Sequence, residues 1–163
     1  MSNRFKKIFL GFSIAIPFIL YCVYYYAIMI KNAPYKFTEF ESVTLKSGHG
    51  NNYNNVYSSK TQDYQYLNSK DSVVHSKVKL SKDDLLYIHR KAAELGFWNW
   101  PEKMLGDTTG KKAHYYLEYD YQRKKKIIEI DGDYNENPKL RDAAIELVRT
   151  VEKTINTADD QQN

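Results

Sequence analysis

The residues best suited to chemistry fall in two short stretches of the C-terminal half. From Ala113 to Tyr121 the chain alternates, so a strand would put Ala113, Tyr115, Leu117, Tyr119 and Tyr121 on one face and His114, Tyr116, Glu118 and Asp120 on the other. Glu118 and Asp120 have the residue types of a glycosidase carboxylate pair, and His114 shares their face. Carboxylates at i and i+2 on a strand are also ordinary solvent-face neighbours, so the pair alone predicts no hydrolase. The second stretch holds Asp131, Asp133, Asn135, Asn137 and, eleven positions after the first, Asp142, which imitates the ligand spacing of a calcium loop. It departs where the geometry is most demanding. Glu136 stands in place of the central Gly and Asp142 in place of the bidentate Glu, so a strand end, a turn and a helix cap are expected instead of a metal site.

Other candidates are weaker. His49, His75, His89 and His114 fall in four different elements, without the i, i+4 pairing of a zinc site. Neither G-x-S-x-G nor H-E-x-x-H occurs, and Leu105 to Lys112 (LGDTTGKK) lacks the full phosphate-loop pattern. No cofactor is expected, and the chain does not read as an enzyme. The densest aromatic cluster, Phe97, Trp98 and Trp100 before Pro101, would seat a partner or stack on sugars if exposed, and would close the core if a helix turns back there. Core closure is the commoner use, because full exposure invites aggregation. Phe97, Trp98, Trp100, Tyr116, Glu118 and Asp120 are the binding candidates that the sequence offers.

Whatever these residues do, they do it beside a membrane. Ile8 to Ile30 is a run of 23 residues with no Asp, Glu, Lys, Arg or His, long enough as a helix to cross a bilayer core about 30 Å thick. Arg4, Lys6 and Lys7 precede it and no acid occurs in the first 30 residues, so residues 1–7 are expected in the cytoplasm and the rest outside it. Lys31 and Lys36 weaken that bias without reversing it. Tyr21, Tyr24, Tyr25 and Tyr26 suit an interfacial belt at the distal end. A cleaved signal fits poorly, since the run is long and Ala33 is followed by Pro34; Cys22 as a lipidated residue is opposed by Tyr21 before it. Pro17 in mid-span is tolerated in membrane helices.

Three of the 24 Lys and Arg precede the run, so 21 face 20 acids in the remainder, which argues against nucleic acid as a partner. The single cysteine, Cys22, lies in the run, so the remainder has no disulfide, thiol nucleophile or cysteine metal site. About 120 residues, 34–156, suffice for one domain that must be held by its core alone.

Phe37, Phe40, Val43 and Leu45 predict a strand over Lys36 to Lys46 with an irregularity near Phe40, and Ser47 to Asn55 (SGHGNNYNN) reads as a loop. Gln62 to Leu67 and Ser72 to Leu80 predict a hairpin. Ser81 with Asp84 predicts a capping box, Leu85, Ile88, Ala92 and Leu95 a helix over Lys82 to Leu95, and Gly96 its C-cap. Ala113 to Tyr121 and Lys126 to Asp131 predict a second hairpin, followed by a helix from Pro138 capped by Asn137; residues 157–163 are expected to fray. The order implies an α+β protein: a transmembrane helix, then an antiparallel sheet with two helices packed on one face.

A small anchored domain without a catalytic constellation is expected to be an extracytoplasmic protein-binding module, single-pass in the inner membrane. One concrete form is an immunity-type inhibitor of a toxin acting in the envelope. The competing expectations are an accessory subunit of an envelope complex that assembles through its membrane helix, and an envelope hydrolase using His114, Glu118 and Asp120.

Overall fold

A computed structural model describes residues 3–32, 35–50, 52–106 and 112–162. The chain divides into two compact units, Met1–Lys36 and Phe37–Asn163. The first is a single helix, α1 (Asn3–Asn32), with Pro17 inside it. Its stretch Lys6–Ile30 is long and apolar enough to cross a membrane, consistent with a single-pass protein, and none of that stretch is covered by protein. Such a surface is unfavourable in water and favourable in lipid. Ala33 and Pro34, the weak cleavage context, lie outside the described residues.

The second unit is α+β. Strands β1 (Phe40–His49), β2 (Asn52–Ser58), β3 (Asp63–Leu67) and β4 (Val73–Lys77) form a meander, followed by helix α2 (Lys82–Leu95). Then come the two-residue β5 (Lys103–Met104), the hairpin β6 (Ala113–Tyr121) and β7 (Lys125–Asp131), and helix α3 (Pro138–Gln162). The sheet order is β4-β3-β2-β1-β6-β7-β5, antiparallel except for the short β5–β7 pair. Beside the expected hairpins there is thus a pairing between distant segments, β1 with β6, that puts both at the centre of the sheet.

Alternation determines which face each side chain takes. Val43, Leu45, Tyr57, Leu117, Tyr119, Tyr121, Ile128 and Ile130 are buried on the face covered by the helices. The Tyr119 hydroxyl donates to the Ile88 carbonyl on α2 and the Tyr64 hydroxyl to Asn156 on α3, so both helices lie on that one face. The capping box stands as expected: Ser81 Oγ accepts from the Asp84 N–H at 3.1 Å and the Asp84 carboxylate accepts from the Ser81 N–H at 2.9 Å. Gly96 ends α2 in the left-handed conformation at φ 79°, which a residue without Cβ adopts freely. The irregularity expected near Phe40 is a register shift between Phe40 and Ser42 against β6.

Two expectations require correction. Ser47 to Asn55 is not an extended loop: β1 runs to His49, Gly50 turns at φ 63°, and β2 begins at Asn52. Pairing of Gly48 and His49 with His114 and Ala113 of β6 outweighs the weak strand propensity of the Gly and Asn residues. Nor does the chain fray from residue 157. The α3 helix continues to Gln162, with Ala158 buried and the Gln162 amide both donating to the Lys79 carbonyl and accepting from its N–H. Asn163 lies outside the described residues.

His89 of α2 is buried among the rings of Phe37, Phe40, Trp98 and Tyr121, with centroids 5.5 to 5.9 Å away, and its Nδ1 has no hydrogen-bond partner among the described residues. Burial first, and then the charge of Arg90, lowers its pKa from 6.5. The unfolded chain therefore takes up a proton near pH 6.5 while the folded one resists it, so stability is complete above that pH and declines as the pH drops below it. The decline is bounded at about 1.4 kcal/mol per pH unit. Urea unfolding between pH 7 and pH 5 should show it, and His89→Phe should flatten it; an equally steep decline in that variant would assign it to other groups.

Candidate functional site

No described helix or strand covers the face of the sheet opposite the helices, and the residues with the most chemistry stand on it. Register builds it: Lys46 lies opposite Tyr116 and Gly48 opposite His114 across β1 and β6. Tyr116 lies opposite Glu129, His114 opposite Asp131 and Asp120 opposite Lys125 across β6 and β7. Tyr53 joins from β2, opposite Gly48. His114, Tyr116, Glu118 and Asp120 thus share one face, as the alternation of β6 predicts.

These side chains are held in place. The Glu118 carboxylate takes a hydrogen bond from the Tyr116 hydroxyl and pairs with Lys125 Nζ at 2.7 Å. Lys125 Nζ is also 4.0 Å from Asp120. Burial tends to raise the Glu118 pKa, yet the hydrogen bonds from Lys125 and Tyr116 and the charges of Lys125 and Lys46 outweigh it, so the carboxyl sits below its ordinary value. The Tyr116 phenol is pushed far up by burial, then by that bond and the carboxylates Glu118 and Glu129. Lys46 Nζ lies 4.8 Å from the centroid of the Tyr116 ring and 5.9 Å from that of Tyr53, within cation–π range. Glu129 has no ion-pair partner among the described residues.

At one end of this row His114 Nδ1 lies 2.5 Å from Asp131 Oδ1, and Asp131 Oδ2 accepts from the Gly106 N–H at 2.9 Å. An imidazole oriented by a carboxylate leaves Nε2 for proton transfer, which is two parts of a general-base arrangement. The ring nearest to it is Tyr53, at 5.3 Å.

Phe97, Trp98 and Trp100 are not a docking surface. Phe97 is wholly buried and Trp98 and Trp100 are 8% exposed, because the left-handed Gly96 folds the turn Phe97–Asn99 back onto the sheet. Phe97 packs 4.8 Å from Tyr119, and Lys126 Nζ donates to the Trp100 carbonyl at 2.5 Å. The donors of the calcium-like spacing go to separate partners: Asp131 to His114, Asp133 to Lys112 at 2.6 Å, Asn137 to the Leu140 N–H as a cap, and Asp142 to Arg141. Among the described residues no group of three or more His, Cys, Asp or Glu is arranged to hold a metal ion. Residues 107–111 of the expected loop lie outside the described residues.

Sequence reasoning missed Lys46, Tyr53, Lys125, Glu129 and Asp131 as members of this surface. The alternation in Lys125–Asp131 carried a usable signal for three of them, with Ile128 and Ile130 inward and Glu129 and Asp131 outward. Comparison with protein-family models, with curated proteins and with solved structures finds no match to this chain.

Proposed function

We propose that this chain is a single-pass, membrane-tethered protein-binding module, N-terminus in the cytoplasm and domain outside it, that docks its partner on the open face of the sheet. The observation that carries the reading is the pre-ordered row Tyr53, Lys46, Tyr116, Glu118 and Lys125, whose side chains are fixed by ring contacts and hydrogen bonds but covered by no other element among the described residues. Tyrosine anchors with restricted rotamers lose little entropy on binding, which makes such a row an efficient contact surface. Glu118, Asp120, Glu129 and Asp131 exceed Lys46, Lys103 and Lys125 there by one, and Glu129 is in no ion pair among the described residues, so the complementary partner carries a basic patch. The orientation rests on Arg4, Lys6 and Lys7 ahead of the apolar run. An immunity-type inhibitor of an envelope-acting toxin is the form that needs only these parts: a tether and a complementary surface.

A photo-crosslinking residue at position 46 of the full chain should capture one dominant protein, and one at Arg149 on the helix side should not. Glu129→Lys should reduce that capture about tenfold or more by opposing the basic patch, without unfolding the domain. Equal capture from both faces, or indifference to Glu129→Lys, would sink the reading. Exchanging residues 8–30 for an unrelated apolar helix should leave capture intact; its loss would favour assembly through the membrane helix. The His114–Asp131 pair favours one other reading, an envelope hydrolase, which loss of biological function in a folded His114→Ala, Glu118→Ala variant with capture retained would revive.

A further inference from the structure

On the helix-covered side, α3 does not seal the sheet where β1 and β2 meet. Two adjoining cavities of about 200 and 270 Å³ open there, and Ser47, Asn55 and Glu152 line both. Tyr64 stands beside the first and Tyr115 beside the second. Among the residues lining them Glu152 is the one carboxylate, and neither Lys nor Arg is present. The walls are fixed: Asn55 accepts from the Leu67 N–H at 3.1 Å, and the Tyr64 hydroxyl donates to Asn156 at 2.9 Å.

A half-buried carboxylate without a paired cation is a standing cost in a folded protein. Here burial holds the Glu152 carboxyl above its ordinary value, although Ser47 and the charge of Arg149 act to lower it. Both neighbouring phenols register the same anion: burial and then the charge of Glu152 raise Tyr115, and raise Tyr64 to about 12. The crevice therefore combines a counter-ion with aromatic side chains in its lining, the two elements that recognise organic cations. A calcium ion needs six or more oxygen ligands with several carboxylates, which one Glu does not provide. The smaller cavity is below the range for drug-sized ligands, so it matches a group of a few heavy atoms.

We propose that this crevice binds an alkylammonium group, with Glu152 as counter-ion and Tyr64 and Tyr115 as its walls. The group could belong to a free small amine or to a lysine side chain, and the two sources are separable. Calorimetric titration of the full chain, in detergent free of amine-bearing lipids, would use ethanolamine and Nα-acetyl-lysine methylamide as probes, with acetamide as the uncharged control. Saturable binding of at least one amine and none of acetamide is expected. Preference for ethanolamine points to a free amine or headgroup, and preference for the lysine derivative to a side chain. Glu152→Gln should weaken binding tenfold or more while leaving the melting temperature at pH 7 equal or higher, because it removes the buried charge. Glu152→Asp, which withdraws the charge by one methylene, should retain weaker binding. Saturation by neither amine, or unchanged affinity in Glu152→Gln, would overturn the proposal.

Discussion

Phe97→Ala is expected to cost the domain about 3–5 kcal/mol, the range for deleting a buried aromatic ring. The ring is wholly inaccessible and sits 4.8 Å from Tyr119, 5.0 Å from Trp98 and 5.5 Å from Trp100, centroid to centroid, so its removal leaves a void that three other large rings border. Those neighbours are themselves fixed. Tyr119 is tied to α2 through the Ile88 carbonyl and Trp100 to β7 through Lys126, which limits how far the core can collapse into the gap. Against a total stability of about 5–15 kcal/mol for a domain of this class, such a loss leaves a marginal fold. Urea unfolding at pH 7 should show the midpoint falling while the slope with denaturant stays constant. Tyr116→Ala, on the open face, should move that midpoint far less. If Phe97→Ala kept the midpoint and instead abolished partner capture, the aromatic cluster would be a surface after all.

Gly48→Ala should be the most damaging substitution of small size, at about 3 kcal/mol or more by the scale for overpacked sites. A Cβ at position 48 would lie 1.9 Å from the Asn52 carbonyl oxygen and 2.9 Å from Tyr53 Cα. Both atoms are backbone, so no rotamer change relieves the contact, and the start of β2 must move. Gly48 also lies at the register shift next to Ser47, opposite Tyr53 on one side and His114 on the other. The variant should therefore both melt earlier and separate the Tyr53 ring from His114, which an NMR contact between the two rings would report. Gly132→Ala is the control: its Cβ would meet nothing closer than the Ala113 carbonyl at 3.4 Å, and its melting temperature should change little. Equal melting temperatures for the two variants would mean that β2 leaves room at position 48.

Both predictions concern places where the sequence was only partly legible. Local signals fixed local structure well. Ser81, Asp84 and Gly96 bound α2 where their side chains and backbone freedom require, because a cap involves only residues three or four apart. The apolar run without a charge over Ile8 to Ile30 determined a long apolar helix, and the alternation over Ala113 to Tyr121 determined which side chains share a face. For that reason the sequence alone groups His114, Tyr116, Glu118 and Asp120 on one face.

What the tertiary structure decided are the relations between residues far apart in the chain. The Gly- and Asn-rich stretch from Ser47 carries turn chemistry, and β6, more than sixty positions later, recruits its first part into the sheet. The same pairing brings Lys46 over Tyr116 and, through β7, Asp131 to His114. Phe97, Trp98 and Trp100 have the composition of a binding surface and of a core plug alike; only the direction in which Gly96 sends the chain makes them core. Glu152, one charged position in an otherwise ordinary amphipathic helix, is distinguished solely by facing the incompletely covered end of β1 and β2. Propensity, capping and period are properties of neighbouring residues and can be read in order, whereas burial and charge pairing depend on which distant strand closes beside them.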